Sequence, residues 1–135
     1  MAEASLNVSV IICSNRVDSH FYKSMNSLIF QKFNSFEIIL ILNGEAKIFF
    51  KELKKFYLKY SVVKIYLSPF NGLVHALNLG LDFARGKYIA RMDADDIANP
   101  YRLATQFNYL NSNSKVSVCG SNYILIDESD NTVAE

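Results

Sequence analysis

Short apolar runs alternate with amphipathic segments along most of this chain, and no other feature constrains its fold as much. Four runs rich in β-branched or aliphatic residues are typical of buried strands, at 8–13, 36–42, 62–67 and 87–92. Between them, apolar residues recur every three or four positions, as they do in amphipathic helices. A strand–helix–strand order makes successive strands parallel within one sheet. The sequence therefore predicts an α/β fold with a mostly parallel sheet and helices on both faces.

The first two predicted helices differ in charge. Asp18 is placed to cap the first helix. The second, at 46–60, has an apolar stripe that includes Leu53 and Phe56, and its lysines at 47, 51, 54, 55 and 59 fall largely off that stripe. Glutamates are interspersed with these lysines, so the pattern favours a solvated helix face over a phosphate-binding or membrane-binding patch.

The next two predicted helices follow turn signals. Asn71 is expected to cap the third helix, whose apolar stripe comprises Leu73, Leu77, Gly80, Leu81 and Ala84. Gly86 would end this helix in the left-handed conformation. Asn99, followed by a proline, predicts the start of the fourth helix. Two last strands are predicted after it, at 116–119 and 123–126.

The length and composition are those of one globular domain. The chain has 135 residues, half of them hydrophobic, so we expect a single domain over residues 1–135 with a substantial core. A net charge of +1 argues against a protein that coats nucleic acid. The apolar runs are strand-sized, so no transmembrane segment is expected. Cys13 and Cys119 are too few for a disulfide framework, which indicates buried free thiols in a reducing cytoplasm.

Polar clusters follow three of the predicted strands. They are 14–16 (Ser-Asn-Arg), 43–45 (Asn-Gly-Glu) and 93–96 (Asp-Ala-Asp-Asp). In open α/β sheets, ligands bind beyond the carboxyl ends of the strands. Three carboxylates within four residues repel one another, and hard oxygen ligands of this kind suit Mg²⁺ or Mn²⁺ with a phosphate. The alternative is structural, since an aspartate in such a loop also caps the next helix or forms an Asx-turn.

A longer pattern surrounds the acidic cluster. The string ARGKYIARMDADD occupies 84–96, with Asn-Gly-Leu at 71–73 before it and Pro-x-Arg-Leu at 100–103 after it. This pattern resembles the strand–D-x-D–helix unit of family 2 glycosyltransferases of the GT-A fold. Segments 8–16, 36–44 and 118–123 are more loosely similar to that family. The resemblance covers almost all of this chain and about the first half of such an enzyme.

The resemblance implies an inverting transfer of a sugar from a nucleotide-diphosphate sugar, with a UDP-sugar favoured, to a hydroxyl of a saccharide or lipid-linked acceptor. The pathway it implies is synthesis of cell-surface polysaccharide or lipopolysaccharide. Asp95 would bind Mn²⁺ or Mg²⁺, and Asp93 would contact the ribose or the metal. The donor-binding residues implied are Ser14, Asn15, Arg16, Asn43, Asn71, Asn78 and Asp93.

The same resemblance leaves parts of the enzyme outside this chain. Leu42 and Asn43 stand where the family commonly has two aspartates, so the nucleobase is left open. The general base is expected beyond Glu135, in an absent acceptor half, and no catalytic residue is assigned. We therefore expect a truncated donor half with little activity alone, a possible homodimer through uncovered apolar surface, and any membrane association through absent regions. Two alternatives stay open: a non-catalytic nucleotide-sugar-binding fragment, and a sugar-nucleotide nucleotidyltransferase, although 14–16 lacks the glycines of such an enzyme.

Overall fold

A four-stranded parallel sheet forms the centre of the computed structural model, which describes residues 6–134. Its strands are β1 (Val8–Ser14), β2 (Phe36–Leu42), β3 (Val63–Leu67) and β4 (Tyr88–Asp93), in the order β3-β2-β1-β4. All three pairings are parallel. The two central strands, β1 and β2, are buried almost throughout, as their continuous apolar sequences predict.

Helices pack on both faces of the sheet, which confirms the predicted fold class. They are α1 (Ser19–Ile29), α2 (Phe50–Tyr57), α3 (Leu73–Phe83) and α4 (Arg102–Ser112). Buried residues of α1, α2 and α4, such as Met25, Leu53 and Leu103, share one core with the sheet. On the other face, Ala76 of α3 packs against Ile39 and Ile41 of β2.

The smallest residues of α3 face the sheet, so the predicted stripe of this helix is confirmed at Gly80 and wrong at Leu73 and Leu81. Ala76 and Gly80 are buried, whereas Leu73 and Leu81 are 47% and 50% exposed. The reason is close packing: a Cβ atom at Gly80 would lie 2.6 Å from Cγ2 of Ile11. The apolar residues of α3 cover a wide arc, so the sequence does not reveal which part of that arc is buried, and here steric fit selects the smallest side chains.

Buried polar groups anchor the connection between α3 and β4 at the amino edge of the sheet. Oε1 of Glu37 accepts hydrogen bonds from Oγ of Ser9 (2.7 Å) and from the backbone N–H of Arg85 (3.0 Å). Oγ of Ser9 accepts another from the N–H of Gly86 (2.8 Å). Gly86 does not have a positive φ, so the predicted left-handed cap is wrong. This residue must be glycine because a Cβ would lie 2.6 Å from the carbonyl carbon of Val8.

The observed start of α1 agrees with the prediction from the sequence, whereas α2 and α4 begin later than predicted. Asp18 caps α1, since its Oδ1 accepts from the N–H of Phe21 at 3.0 Å. A 3-10 helix (Gly44–Phe49) occupies the first part of the predicted second helix. Asn99 begins a turn instead of α4 itself, because its Oδ1 accepts from the N–H of Tyr101 at 2.9 Å.

The C-terminal strands differ from the prediction. Residues 116–119 form no strand, and β5 (Leu125–Ile126) covers only half of the strand expected at 123–126. It pairs antiparallel with β6 (Thr132–Ala134) in a separate two-stranded sheet. Val118 is 84% exposed, so its apolar run has no partner strand among residues 6–134. Within the same residues, no helix combines the length and the apolarity needed to cross a bilayer.

Candidate functional site

The sheet brings the three predicted polar clusters to one edge. β1 lies between β2 and β4, with Ser14 in register with Leu42 and Cys13 in register with Asp93. The loop after β1 therefore lies between the loop after β2 and the acidic loop after β4. The order of the strands also reverses between β1 and β4, which is where open α/β sheets bind their ligands.

An acidic cleft lies between the loops that follow β1 and β4. It is lined by Cys13, Ser14, Asn15, Arg16, Asp18, Phe21, Asp93, Ala94 and Asp95. The sequence does not single out Asp18 and Phe21 as lining residues, because the cap position of Asp18 and the apolar position of Phe21 in the first helix already account for them. Their position in the chain could have identified them as lining residues, because both lie in the first turn after the loop of β1.

Arginines balance the carboxylates of this cleft. Nε of Arg16 lies 3.2 Å from Oδ2 of Asp18, and its Nη2 lies 3.5 Å from Oδ2 of Asp95. Nη2 of Arg91 is 2.9 Å from Oδ1 of Asp93. These pairs are exposed to solvent, so each is easily exchanged for another ligand of the carboxylate.

Repulsion among the carboxylates of the acidic loop affects the pKa of Asp96. Burial, and then the charges of Asp93 and Asp95, raise the pKa of Asp96 above its ordinary value. The N–H of Asp96 donates to the carbonyl of Asp93 at 3.3 Å, which folds the loop into a tight turn. The three carboxylates are thus held close enough to interact, as their spacing predicts.

The structure limits the chemistry available to two residues at the end of β1, Ser14 and Cys13. Oγ of Ser14 donates to the carbonyl of Arg16 at 2.6 Å, so this hydroxyl shapes the loop. Burial raises the pKa of the Cys13 thiol to about 11. The thiol is therefore protonated at neutral pH and is a poor nucleophile. Cys13 and Cys119 are both free and half-buried, where the sequence predicts fully buried thiols.

A second cleft adjoins the first and shares Cys13, Ser14 and Asn15 with it. Its other lining residues are Asn43, Gly44, Asn71, Gly72 and Leu73. Nδ2 of Asn43 donates to the carbonyl of Gly72, and Oδ1 of Asn71 accepts from the N–H of Gly44, both at 3.2 Å.

These two asparagines tie the loop after β2 to the loop after β3. Both loops contain a glycine with a positive φ, +52° at Gly44 and +104° at Gly72. Asn71 does not cap α3, because Gly72 is the residue before the helix and no side chain caps it. The predicted cap is wrong for a physical reason: the backbone of the neighbouring loop competes for the same amide oxygen.

Asn78 is the one predicted donor-binding residue that the structure does not bring to either cleft. It lies in the middle of α3 and is exposed. The remaining predicted site residues all line the first cleft or the second.

The donor set of the acidic loop fits a hard divalent cation. Among residues 6–134 no group of three or more His, Cys, Asp or Glu side chains converges on one point. Mg²⁺ and similar ions commonly need only one or two carboxylates, because water and substrate phosphates supply the other ligands. The carboxylate of Asp95 is 58% exposed and has only the 3.5 Å contact with Arg16, so it is available to such an ion.

Curated relatives extend well beyond the length of this chain. An uncharacterized glycosyltransferase from Haemophilus influenzae is 35% identical over 124 residues, which are 91% of this chain and 38% of that protein. The O-antigen biosynthesis glycosyltransferase WbnJ from Escherichia coli is 33% identical over 129 residues, which are 95% of this chain and 50% of that protein. The chain thus spans half or less of the length of these two relatives.

Solved structures share the fold. Residues 1–349 of TarS from S. aureus, in complex with UDP, superpose with a TM-score of 0.70 at 21% identity, over 78% of this chain and 32% of that one. The mannosyltransferase PcManGT from Pyrobaculum calidifontis, in complex with GDP-Man and Mn²⁺, gives a TM-score of 0.65 at 17% identity, over 77% of this chain and 32% of that one. At these identities the likeness concerns the fold alone.

The sequence matches a family model as well as individual proteins. The model described as Glycosyl transferase family 2 matches residues 9–134, which include both clefts and every element of the sheet. This extent agrees with the relatives, which are themselves named glycosyltransferases. The chain therefore belongs to glycosyl transferase family 2.

Proposed function

We propose that this chain is the donor-binding part of an inverting glycosyltransferase. Its donor is a nucleotide-diphosphate sugar, with a UDP-sugar favoured, and its acceptor is a hydroxyl of a saccharide or lipid-linked molecule. The observation that carries the proposal is the meeting of the acidic loop and the loop after β1 at the point where the strand order reverses. The structural neighbours in complex with UDP and with GDP-Man support a nucleotide-sugar donor.

The adjoining clefts suggest how the donor is divided between them. In this proposal the nucleobase and ribose lie in the second cleft, against Asn15, Asn43 and Asn71. The diphosphate lies in the first cleft, beside Arg16 and the acidic loop. The carbonyl of Asn15 accepts from the N–H of Ala46 at 3.0 Å, which fixes the loop after β1 against the loop after β2 before any ligand arrives. Such preorganisation reduces the cost of ordering the site on binding.

Asp95 is the proposed ligand of Mn²⁺ or Mg²⁺, with Asp93 contacting the metal or the ribose. A divalent cation held there would stabilise the negative charge that develops on the leaving nucleotide diphosphate. Arg91 already holds the carboxylate of Asp93 at 2.9 Å, which orients it without a ligand. The Mn²⁺ in the PcManGT complex supports a metal in a protein of this fold.

The biological role is proposed from the relatives. WbnJ is named for O-antigen biosynthesis, and AmsE from Erwinia amylovora is named for amylovoran biosynthesis. We propose a role in cell-surface polysaccharide synthesis for this protein as well. The two free cysteines support a reducing, cytoplasmic location for these residues. No described residue is assigned as general base, and we propose that the base belongs to an acceptor-binding half.

Calorimetric titration with UDP, GDP, CDP and dTDP, each with and without Mn²⁺, tests the proposed site. We expect Mn²⁺-dependent binding of one nucleotide, and loss of that dependence in Asp95→Asn. The matched control is Asp82→Asn, which removes an exposed aspartate on α3 away from both clefts. No binding of any nucleotide to the wild-type chain, or equal loss in both variants, would refute the site.

A second candidate is that these 135 residues bind the donor and transfer no sugar. The observation that favours it is that this chain covers half or less of the length of two curated relatives. Both candidates predict donor binding without robust transfer by these 135 residues alone, and robust Mn²⁺-dependent transfer by them would contradict both. A transfer assay with radiolabelled donor and a hydroxyl acceptor, on these residues joined to the acceptor-binding half of a family 2 relative, separates the candidates. Transfer by the joined protein supports the donor-binding part of an enzyme, whereas donor binding without transfer supports a binding fragment.

A further inference from the structure

One surface, whose residues line neither cleft, combines exposed apolar side chains with lysines. We call it the basic face. It comprises Lys47, Ile48, Lys51, Lys54, Lys55, Leu58 and Lys59, on the 3-10 helix, on α2 and directly after α2. Ile48 is 80% exposed and Leu58 is 83% exposed, so two large aliphatic side chains project into solvent among the lysines.

The charge of the basic face is uncompensated. Residues 47–59 contain five lysines and one glutamate, a net charge of +4, whereas the whole chain carries +1 and the rest of it therefore carries −3. None of the five lysines forms an ion pair with a residue within 6–134. A concentrated positive charge of this kind attracts a negatively charged surface.

The helix presents these residues on the side opposite to its core contacts. Leu53 and Tyr57 are the buried residues of α2. At 100° per residue, Lys51 and Lys55 point away from them, and Leu58 lies near Lys51. Leu58 and the lysines at 51 and 55 are therefore neighbours on the outer side of α2.

Two of the lysines of the basic face, Lys54 and Lys59, contact aromatic rings. Nζ of Lys54 lies 5.0 Å from the ring centroid of Phe50, and Nζ of Lys59 lies 5.6 Å from that of Phe56. Lysines in such positions lay their aliphatic stems along apolar surface while the ammonium group stays at its rim. This is the arrangement that lysines adopt at a boundary between hydrocarbon and water.

We propose that the basic face docks on an anionic lipid surface, with Ile48 and Leu58 inserted between headgroups and the lysines contacting phosphates. Apolar residues surrounded by basic ones on a surface helix are typical of segments that lie in the membrane interface. The interspersed glutamates predict a solvated helix face, and the exposed lysines agree with that prediction. The proposal adds a partner for this face, because two large aliphatic side chains are exposed there as well. The inference is independent of the proposed nucleotide site.

Vesicle flotation tests this proposal on the full chain. Vesicles of phosphatidylcholine alone are compared with vesicles that also contain phosphatidylglycerol. We expect binding to the anionic vesicles only, and a loss of affinity of about tenfold or more in Lys51→Glu/Lys55→Glu, since each lysine near an anionic surface contributes appreciably. The matched control is Lys32→Glu/Lys115→Glu, which changes the net charge equally at exposed lysines outside the basic face and should change affinity by less than about twofold.

Insertion of the aliphatic side chains is tested separately. Leu58→Ser should weaken binding to the anionic vesicles several-fold, whereas Val118→Ser, at an equally exposed valine elsewhere, should not. Circular dichroism of each variant establishes that it is folded. Equal binding to both kinds of vesicle, no binding to either, or equal losses in the paired variants would overturn the proposal. Nucleotide binding without vesicles is unaffected in either case, so failure here is distinguishable from failure of the donor site.

Discussion

Arg16 and Asp95, which come from loops after different strands, form an ion pair across the acidic cleft, with Nη2 of the arginine 3.5 Å from Oδ2 of the aspartate. The guanidinium therefore occupies space beside the carboxylate that is proposed to bind a divalent cation. In the absence of donor, the arginine and the cation compete for one carboxylate. When a diphosphate is present, the displaced guanidinium has a new anionic partner.

Replacing Arg16 with alanine should strengthen binding of Mn²⁺ alone. An exposed ion pair contributes up to about 1 kcal/mol, so the expected gain in affinity is up to about fivefold. Electron paramagnetic resonance of free Mn²⁺ measures it. Arg85→Ala is the control, because Arg85 lies at the opposite edge of the sheet, with its N–H bonded to Glu37. Unchanged or weaker Mn²⁺ binding in Arg16→Ala would contradict the competition.

Glu37 should be important for stability and unimportant for nucleotide binding. Its side chain is 3% exposed, and its Oε2 is 2.6 Å from Nζ of Lys64. Glu37→Gln removes the charge that Lys64 pairs with, and should lower the free energy of unfolding at pH 7 by about 2 kcal/mol. Urea titration followed by circular dichroism measures this, with the exposed Glu45→Gln as a control expected to change little.

The contribution of Glu37 should also depend on pH. Burial raises the pKa of this carboxyl, but hydrogen bonds from Lys64, Ser9 and the N–H of Arg85 outweigh burial, and the pKa lies below its usual value of 4.5. A carboxyl group whose pKa is lowered in the folded state stabilises the fold at pH values above its usual pKa. This stabilisation is lost as the pH falls through the lowered pKa. The difference between wild type and Glu37→Gln should therefore shrink below pH 4.5. If the difference in free energy of unfolding stayed constant down to the pH of acid unfolding, the ionised carboxylate of Glu37 would not be the form that stabilises the fold.

Two glycines should tolerate alanine unequally. At Gly86 the new Cβ meets the backbone of Val8 and Ser9, whereas at Gly80 it meets the side chain of Ile11. Backbone within a central strand cannot move aside, so we expect Gly86→Ala to cost about 3 kcal/mol. A side chain can shift and alanine favours helix, so Gly80→Ala should cost about 1 kcal/mol. Thermal unfolding compares them, with Gly120→Ala as the control, since a Cβ there meets nothing within 4 Å. Equal destabilisation at 80 and 86 would show that the strand yields as readily as the side chain.

The outer side of α3 should promote self-association of these 135 residues. Val74 and Leu81, which are seven residues apart and so lie on one side of this helix, are 69% and 50% exposed. Adjoining apolar side chains in solvent favour contact with a second copy. Light scattering over a concentration series should show a mass that rises toward a dimer, and Val74→Ser/Leu81→Ser should shift the midpoint to higher concentration. A monomer at every concentration would contradict the homodimer.

Strand positions were predictable because burial on both faces leaves a strong apolar signature. The strands β1 and β2 match their predicted runs to within one residue. That Asp93, Asp95 and the loop after β1 lie at one edge was predictable too, since parallel strands end at the same edge. That they adjoin one another follows from the order of the strands, in which β4 lies beside β1.

What the sequence did not reveal depends on fit between elements. Which side of α3 is buried depends on Ile11, far away in the sequence, and the amide of Asn71 bonds the N–H of Gly44 in another loop. The run at 116–119 has strand-like residues but no partner within the described part of the chain. Local patterns carry no information about these distant partners.

Polar anchoring of Gly86 at the amino edge has a consequence for how such a protein can diverge. The start of β4 is fixed there by Ser9 and Glu37, at the opposite end of the strands from the clefts. In the proposed site, substitutions at Asn15 or Asn43 would therefore alter which nucleotide is accepted without disturbing where the acidic loop is held. A lineage could then explore new donors at one rim of the sheet while selection preserves the other.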